Sequence, residues 1–170
     1  MSQAGIRVTY GALPQSIMDG EPSALMEAKR AAVNAALPYL QRRLALATPS
    51  GATGKARQLV AMELSVQPSS VVGFVGYAEP ASGYMGFVED GTRPHWPPIA
   101  AMQLYAARKF GYLVGSPEAR RAGYLIARSI SRKGTKAQHV VENVANASRQ
   151  RAEQLMERAA LGVFASWGKP

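Results

Sequence analysis

Tyr84-Met-Gly-Phe-Val-Glu-Asp-Gly-Thr-Arg-Pro-His-Trp-Pro-Pro98 is the stretch on which the reading of this chain turns. Its apolar start, Tyr84 to Glu89, reads as a strand ending at Asp90-Gly91, a pair that favours a tight turn because glycine accepts positive φ. Asp90, Gly91 and Thr92 are therefore expected to be a structural turn. Beyond it, each residue before a proline is pushed out of the α region, so the chain runs extended to Pro98. Pro94, Pro97 and Pro98 supply no N–H, which excludes a central strand. Pro98 suits the first turn of a helix starting near Ile99. A stiff loop bearing Arg93, His95 and Trp96 is thus expected between a strand and a helix, better suited to docking than to chemistry.

Working outward, Ile6 to Tyr10 alternates apolar and polar residues and predicts a short strand. Gly11 to Pro22 is rich in turn formers. Pro22-Ser23 opens a helix to about Ala47, with Leu25, Ala28, Ala32, Ala36, Leu40 and Leu44 at helical spacing. Pro38 lies inside it and is expected to kink or split it. After a loop at 48–54, Gln58–Gln67 and Val71–Tyr77 read as a hairpin turning at Pro68-Ser-Ser70.

The rest predicts helices. One spans Ile99 to Phe110, with Ile99, Met102, Ala106 and Phe110 along one face and Gly111 as its stop. Ser116-Pro-Glu118 starts the next, with serine as cap and proline at the first position. It runs to about Arg132, with Ala119, Gly123, Ile126 and Ile130 on one face and Arg121, Arg128 and Arg132 opposite. The last covers His139 to Phe164, with Val141, Ala145, Ala152, Leu155, Ala159 and Val163 inward. No internal repeat or linker breaks the chain. The expectation is a single α+β domain over 1–170, a small antiparallel sheet packed on several helices, with long helices at both ends. Within it, 1–22 is an N-terminal strand and loop, 23–134 the main body, and 139–166 the final helix.

Length and composition bound the function. At 170 residues, 47% hydrophobic and 18% charged, the chain suits one globular domain. No apolar run approaches the roughly 20 residues a membrane-spanning helix needs, and the N-terminus lacks the pattern of a signal peptide. Zero cysteines removes disulfides, thiol catalysis and thiolate metal sites, and fits a reducing cytoplasm. With two histidines, His95 and His139, a dedicated zinc site is not expected. Residues 1–90 hold seven basic and seven acidic side chains, whereas 91–170 hold thirteen and four, the whole +9 excess. A polyanion, an acidic partner and a merely solvated basic face all remain open.

The motifs argue against catalysis. Gly51-Ala-Thr-Gly-Lys55 glances at a phosphate-binding loop, but Pro49 holds the first glycine's place and Ala56 that of the magnesium-binding hydroxyl. Glu89-Asp90 is an adjacent acidic pair without a visible opposed geometry. His95 has no nucleophile motif beside it. No catalytic, cofactor or metal residues are therefore expected. Trp96 is either core or an anchor in a partner's pocket, and the rigid loop favours the anchor, with Arg93 and His95 beside it. Arg121, Arg128, Arg132, Lys133 and Lys136 form the strongest polyanion candidate, because no acid interleaves at helical spacing. With no zinc finger, RNA-binding aromatic signature or helix-turn-helix, contact would be with phosphates.

In the order of these features the chain resembles the tail-completion, or head-to-tail joining, proteins of long-tailed bacteriophages. The resemblance rests on Thr48-Pro49, Thr53-Gly54 and Arg57 after a helix, then a hairpin, then Phe87-Val-Glu-Asp-Gly-Thr92. The proline run to Pro98 and Ile130-Ser-Arg-Lys-Gly-Thr-Lys136 continue it, so that it covers most of 25–145. Lys55-Ala56 departs from it, since an apolar residue more often precedes that arginine. The resemblance implies a structural, non-catalytic virion protein without cofactor, assembled in the host cytoplasm. It implies a homo-oligomeric ring, generally a hexamer, in the neck between tail tube and head connector. Connector and tail proteins would be its neighbours, with genomic DNA passing nearby and no membrane involved. A tail terminator, a minor capsid component and a sequence-neutral DNA-binding protein are the alternatives.

Overall fold

The computed structural model describes residues 4–10, 22–51 and 54–167. Three strands form one antiparallel sheet in the order β1-β3-β2: β1 (Gly5–Thr9), β2 (Val60–Val66) and β3 (Val71–Tyr77). Helix α1 (Pro22–Ala47) packs on this sheet and, along its length, on the final helix α6 (Val140–Trp167). The two long helices run antiparallel, since the Trp167 indole N–H donates to Glu27 at 3.2 Å, joining the end of α6 to the start of α1. Between them lie α2 (Lys55–Gln58), α3 (Ala81–Asp90), α4 (Ile99–Phe110) and α5 (Pro117–Lys133). The α+β architecture with long helices at both ends is as the sequence predicts. The expected loop at 11–21 lies outside the described residues.

The core is built from the apolar stripe of α1, where Ala28, Ala32, Val33, Ala36, Leu37, Leu40 and Leu44 are all buried. It meets Ile6 and Val8 of β1 and Val71 and Val75 of β3 from the sheet, and Val144, Ala152 and Met156 from α6. Leu25 is half-buried instead, as are Ala145, Leu155, Ala159 and Val163 at the flanks of the α6 stripe. Helix α1 is unbroken across Pro38, which faces solvent, so the expected split does not occur.

The sheet pairs as expected, with Gln67 N–H donating to Ser70 O at 2.8 Å to close the β2–β3 turn. Strand β2 starts at Val60 and not at Gln58, because Lys55–Gln58 coil into the short helix α2. There Arg57 Nε donates to the Thr48 carbonyl at 2.6 Å. The Thr48 hydroxyl, wholly buried, donates to Leu44 O at 2.7 Å and so accepts from the Tyr77 hydroxyl at 2.8 Å. The Thr-Pro…Arg pattern thus fastens the end of α1 to the sheet.

One element differs in kind. Residues 84–89, expected as a strand, belong to helix α3. Tyr, Phe and Val favour strands and Gly83 and Gly86 disfavour helices, so local preference pointed the wrong way. Tertiary burial decides: Ala81 and Met85 are buried four residues apart, and Val88 and Glu89 follow on the same side. A strand would have turned Val88 to the face opposite Ala81, Met85 and Glu89. Asp90 is accordingly the last residue of a helix, and Gly91 is its C-cap at φ 74° and ψ −177°.

Candidate functional site

Helices α4 and α5 pack chiefly on each other and little on the rest of the fold. They form a helical hairpin, entered through the proline loop and left through Gly134–His139. Its seam is made of small residues: Ala106 and Ala107 of α4 against Ala119, Gly123 and Ala127 of α5, all buried. A Cβ on Gly123 would lie 2.6 Å from the Gln103 backbone, so the helices touch main chain to main chain there. Of the apolar face read on α4, Ala106 is buried, Met102 half-buried, and Ile99 and Phe110 are exposed; Ile126 and Ile130 of α5 are half-buried. The caps are as read: Ser116 Oγ accepts the Ala119 N–H at 3.2 Å, and Gly111 ends α4 at φ 74°.

With small residues filling the seam, the large ones point away. Of sixteen exposed large hydrophobic side chains among the described residues, nine lie between Trp96 and Leu125. Residues 91–138 also hold nine basic side chains against one acid, a net of +8 out of +9. These apolar and cationic side chains make the arm the candidate interaction surface.

The base of the hairpin is fixed by backbone pairing. Thr92 and Thr135 exchange N–H to O=C bonds at 3.1 Å each way, an antiparallel bridge reinforced by their hydroxyls at 3.0 Å. Beside it, Gln138 N–H donates to Val88 O and His139 N–H to Glu89 O. The Glu89 carboxylate then accepts the N–H groups of Val141, at 2.9 and 3.1 Å, and of Glu142, at 3.1 Å. It caps the N-terminus of α6 from another helix, satisfying donors that have no intrahelical partner. The acidic pair is thereby explained structurally.

The proline loop is exposed, with only Pro97 buried. Trp96 is 57% exposed, and its ring lies tilted 6.2 Å from that of Tyr124 on α5. It is therefore not core. His95 Nδ1–H donates to the carbonyl of Arg93 at 2.9 Å, which bends the loop on itself. Arg93, His95 and Pro97 line a cleft of about 670 Å³ whose apolar wall includes Phe87, Met102 and Ile130. Lys136 lines it too, bringing one of the polyanion candidates beside the loop trio.

Arg121, Arg128, Arg132 and Lys133 are exposed along α5, away from the seam. Sequence reading missed the register of this stripe. Arg120, Tyr124, Arg128 and Arg132 succeed one another at steps of four, so an exposed tyrosine, with Trp96 against it, interrupts a cationic ladder. The step of four starting at Arg120 was the available signal. Also missed were Leu113 and Val114 in the α4–α5 loop, 82% and 75% exposed.

Among the described residues no cluster of histidine, aspartate and glutamate could hold a metal ion. No helix among them is long and apolar enough to cross a membrane. No protein-family model matches the chain, and no curated protein and no solved structure matches it either.

Proposed function

We propose that the chain is a structural subunit of a phage neck, joining the tail to the head connector as one member of a homo-oligomeric ring. The observation that carries this reading is the α4–α5 hairpin, which closes on alanine and glycine and leaves its aromatic and aliphatic side chains outside. Large side chains are what assembly interfaces bury. The Gly-Thr sequences quoted in the resemblance, Gly91-Thr92 and Gly134-Thr135, form the pairing that sets this hairpin on the body. The role is non-catalytic: Glu89 is committed to the cap of α6 and His95 to its own loop. Light scattering across a concentration series tests it. A discrete oligomer, generally a hexamer, seen as rings in negative stain supports the reading, and a monomer at every concentration overturns it.

A second role is favoured by the outer face of α5. Arg120, Arg121, Arg128 and Arg132 point to DNA phosphates, with no acid among them to neutralise the stripe. Such contact is independent of sequence and strongly salt-dependent, with a slope of about −0.9 per phosphate neutralised. Replacing the four arginines by glutamine is expected to flatten that slope in the ring. An unchanged slope assigns the stripe to protein contacts.

A further inference from the structure

We infer that the cleft at the hairpin base binds a short, extended peptide segment of another protein. In that segment a large apolar side chain stands between two carboxylates, one two residues before it and one two residues after. The site needs a single copy of this chain, so the inference holds apart from the ring reading.

The cleft has an apolar interior and a cationic rim. Phe87 and Val88 of α3, Met102 of α4 and Ile130 of α5 line it, with Pro94 and Pro97 of the loop. Its volume of about 670 Å³ lies in the range of pockets that enclose compact ligands, about 300–1,000 Å³. That is room for a few residues and not only for one side chain. Arg93 and Lys136 line it too, both exposed. Neither makes an ion pair or a side-chain hydrogen bond among the described residues. Each directly follows one threonine of the Thr92–Thr135 bridge, which sets both cations at this cleft.

No acid lines the cleft to answer them. Of the acids nearest in sequence, Glu89 holds the start of α6 and Glu142 lies 3.3 Å from His139. Asp90 is exposed at the end of α3.

Charge and polarity together select the occupant. An uncharged apolar ligand leaves the two cations unanswered. A phosphate chain would set anionic oxygens against Phe87, Met102 and Ile130, which offer no hydrogen bond. A peptide meets both demands. In an extended chain residues two apart share a face, so carboxylates flanking the inserted side chain at that spacing stay on the cleft side with it. The Gln138 side chain, also at the cleft, carries an amide able to pair with the peptide backbone. Pro94 and Pro97 have no N–H to offer, so the segment is not added as a strand along the loop and its side chains decide recognition.

This chain does not supply the segment itself. Only one pair of its acids stands four apart, Glu153 and Glu157 around Leu155. Both belong to α6, where residues two apart point to different sides. The ligand therefore belongs to a different protein.

The probe is an amidated peptide, Gly-Glu-Ser-Phe-Ser-Glu-Gly, with a neutral fluorophore at its N-terminus, titrated with the full chain and followed by anisotropy. Saturable binding is expected below about 1 mM. Alanine in place of the phenylalanine is expected to weaken it about tenfold or more. Glutamine in place of both glutamates, or a rise from about 50 mM to about 500 mM NaCl, is expected to weaken it several-fold. Arg93→Gln/Lys136→Gln is expected to bind the glutamate and glutamine peptides alike, whereas Arg120→Gln/Arg121→Gln still tells them apart. A photoreactive benzoylphenylalanine in place of the phenylalanine is expected to cross-link to Met102. No binding up to about 1 mM, cross-links that map only outside the cleft, or a glutamate preference that survives Arg93→Gln/Lys136→Gln overturns the inference. An oligothymidylate that displaces the peptide and is weakened by the same double variant makes the cleft a phosphate site, which also overturns it. A monomer that binds the peptide as expected supports the inference and removes the ring reading alone.

Discussion

Gly91 and Gly134 hold nearly the same backbone conformation, φ 74°, ψ −177° and φ 69°, ψ −160°, on the two sides of the Thr92–Thr135 bridge. This region of the backbone map is almost confined to glycine. A Cβ at Gly91 would lie 2.5 Å from the Thr135 oxygen, and one at Gly134 would collide with the Thr92 oxygen. Each glycine thus faces the other's neighbouring threonine. Gly91→Ala and Gly134→Ala are each expected to cost at least about 2 kcal/mol, from backbone strain and the broken bridge together. Asp90→Asn, at an exposed helix end, is expected to stay within about 0.5 kcal/mol. Urea midpoints of the three variants check this, and equal tolerance would contradict it.

Glu89 spans 52 residues to cap α6. Removing the carboxylate strands two N–H groups at a helix start, a loss of about 1–2 kcal/mol. Glu89→Ala is expected to lower stability by that amount, and Glu89→Gln, which keeps one acceptor oxygen, by less. Thermal unfolding ranks them; a Glu89→Ala protein as stable as the parent would remove the cap from the explanation of this junction.

Much of the fold could be read because its punctuation is chemical and local. Ser116-Pro117-Glu118 and Gly111 bound their helices where the residue types require. What could not be read depends on distant partners. Helix α3 is chosen by where Ala81, Met85 and Glu89 end up and not by its own preferences. The Thr92–Thr135 pairing joins residues 43 apart, and neither Gly-Thr pair names the other. The loop trio and the basic stripe were visible as residue types. That Lys136 joins Arg93 and His95 at one cleft follows only from the bridge.

Tyr77 gives the fold an alkaline limit. Burial is the main cause holding its hydroxyl above the usual tyrosine value, and Glu89 and Tyr84 push the same way. The unfolded chain, at about 10, releases this proton first, so the contribution is full below pH 10 and is lost as pH rises through the folded value. Tyr77→Phe is expected to flatten the fall in melting temperature above pH 10. Some slope will remain from Tyr10, raised by burial and then by Glu157. Parallel curves for parent and variant would contradict the assignment.

Trp96 separates folding from assembly. Half-exposed and touching Tyr124, it contributes about 1 kcal/mol to the isolated chain. As an anchor between subunits it would contribute about 2 kcal/mol or more. Trp96→Ala is expected to keep its circular dichroism spectrum and lose most of its oligomer at micromolar concentration. A folded variant that assembles normally would take Trp96 out of the interface.

The most direct test of the hairpin as the assembly surface is a cryo-electron microscopy reconstruction of the purified oligomer. The expected result is a closed ring in which the exposed side chains from Trp96 to Leu125 are buried between neighbours. A ring that leaves the hairpin in solvent and joins its subunits elsewhere would contradict the claim.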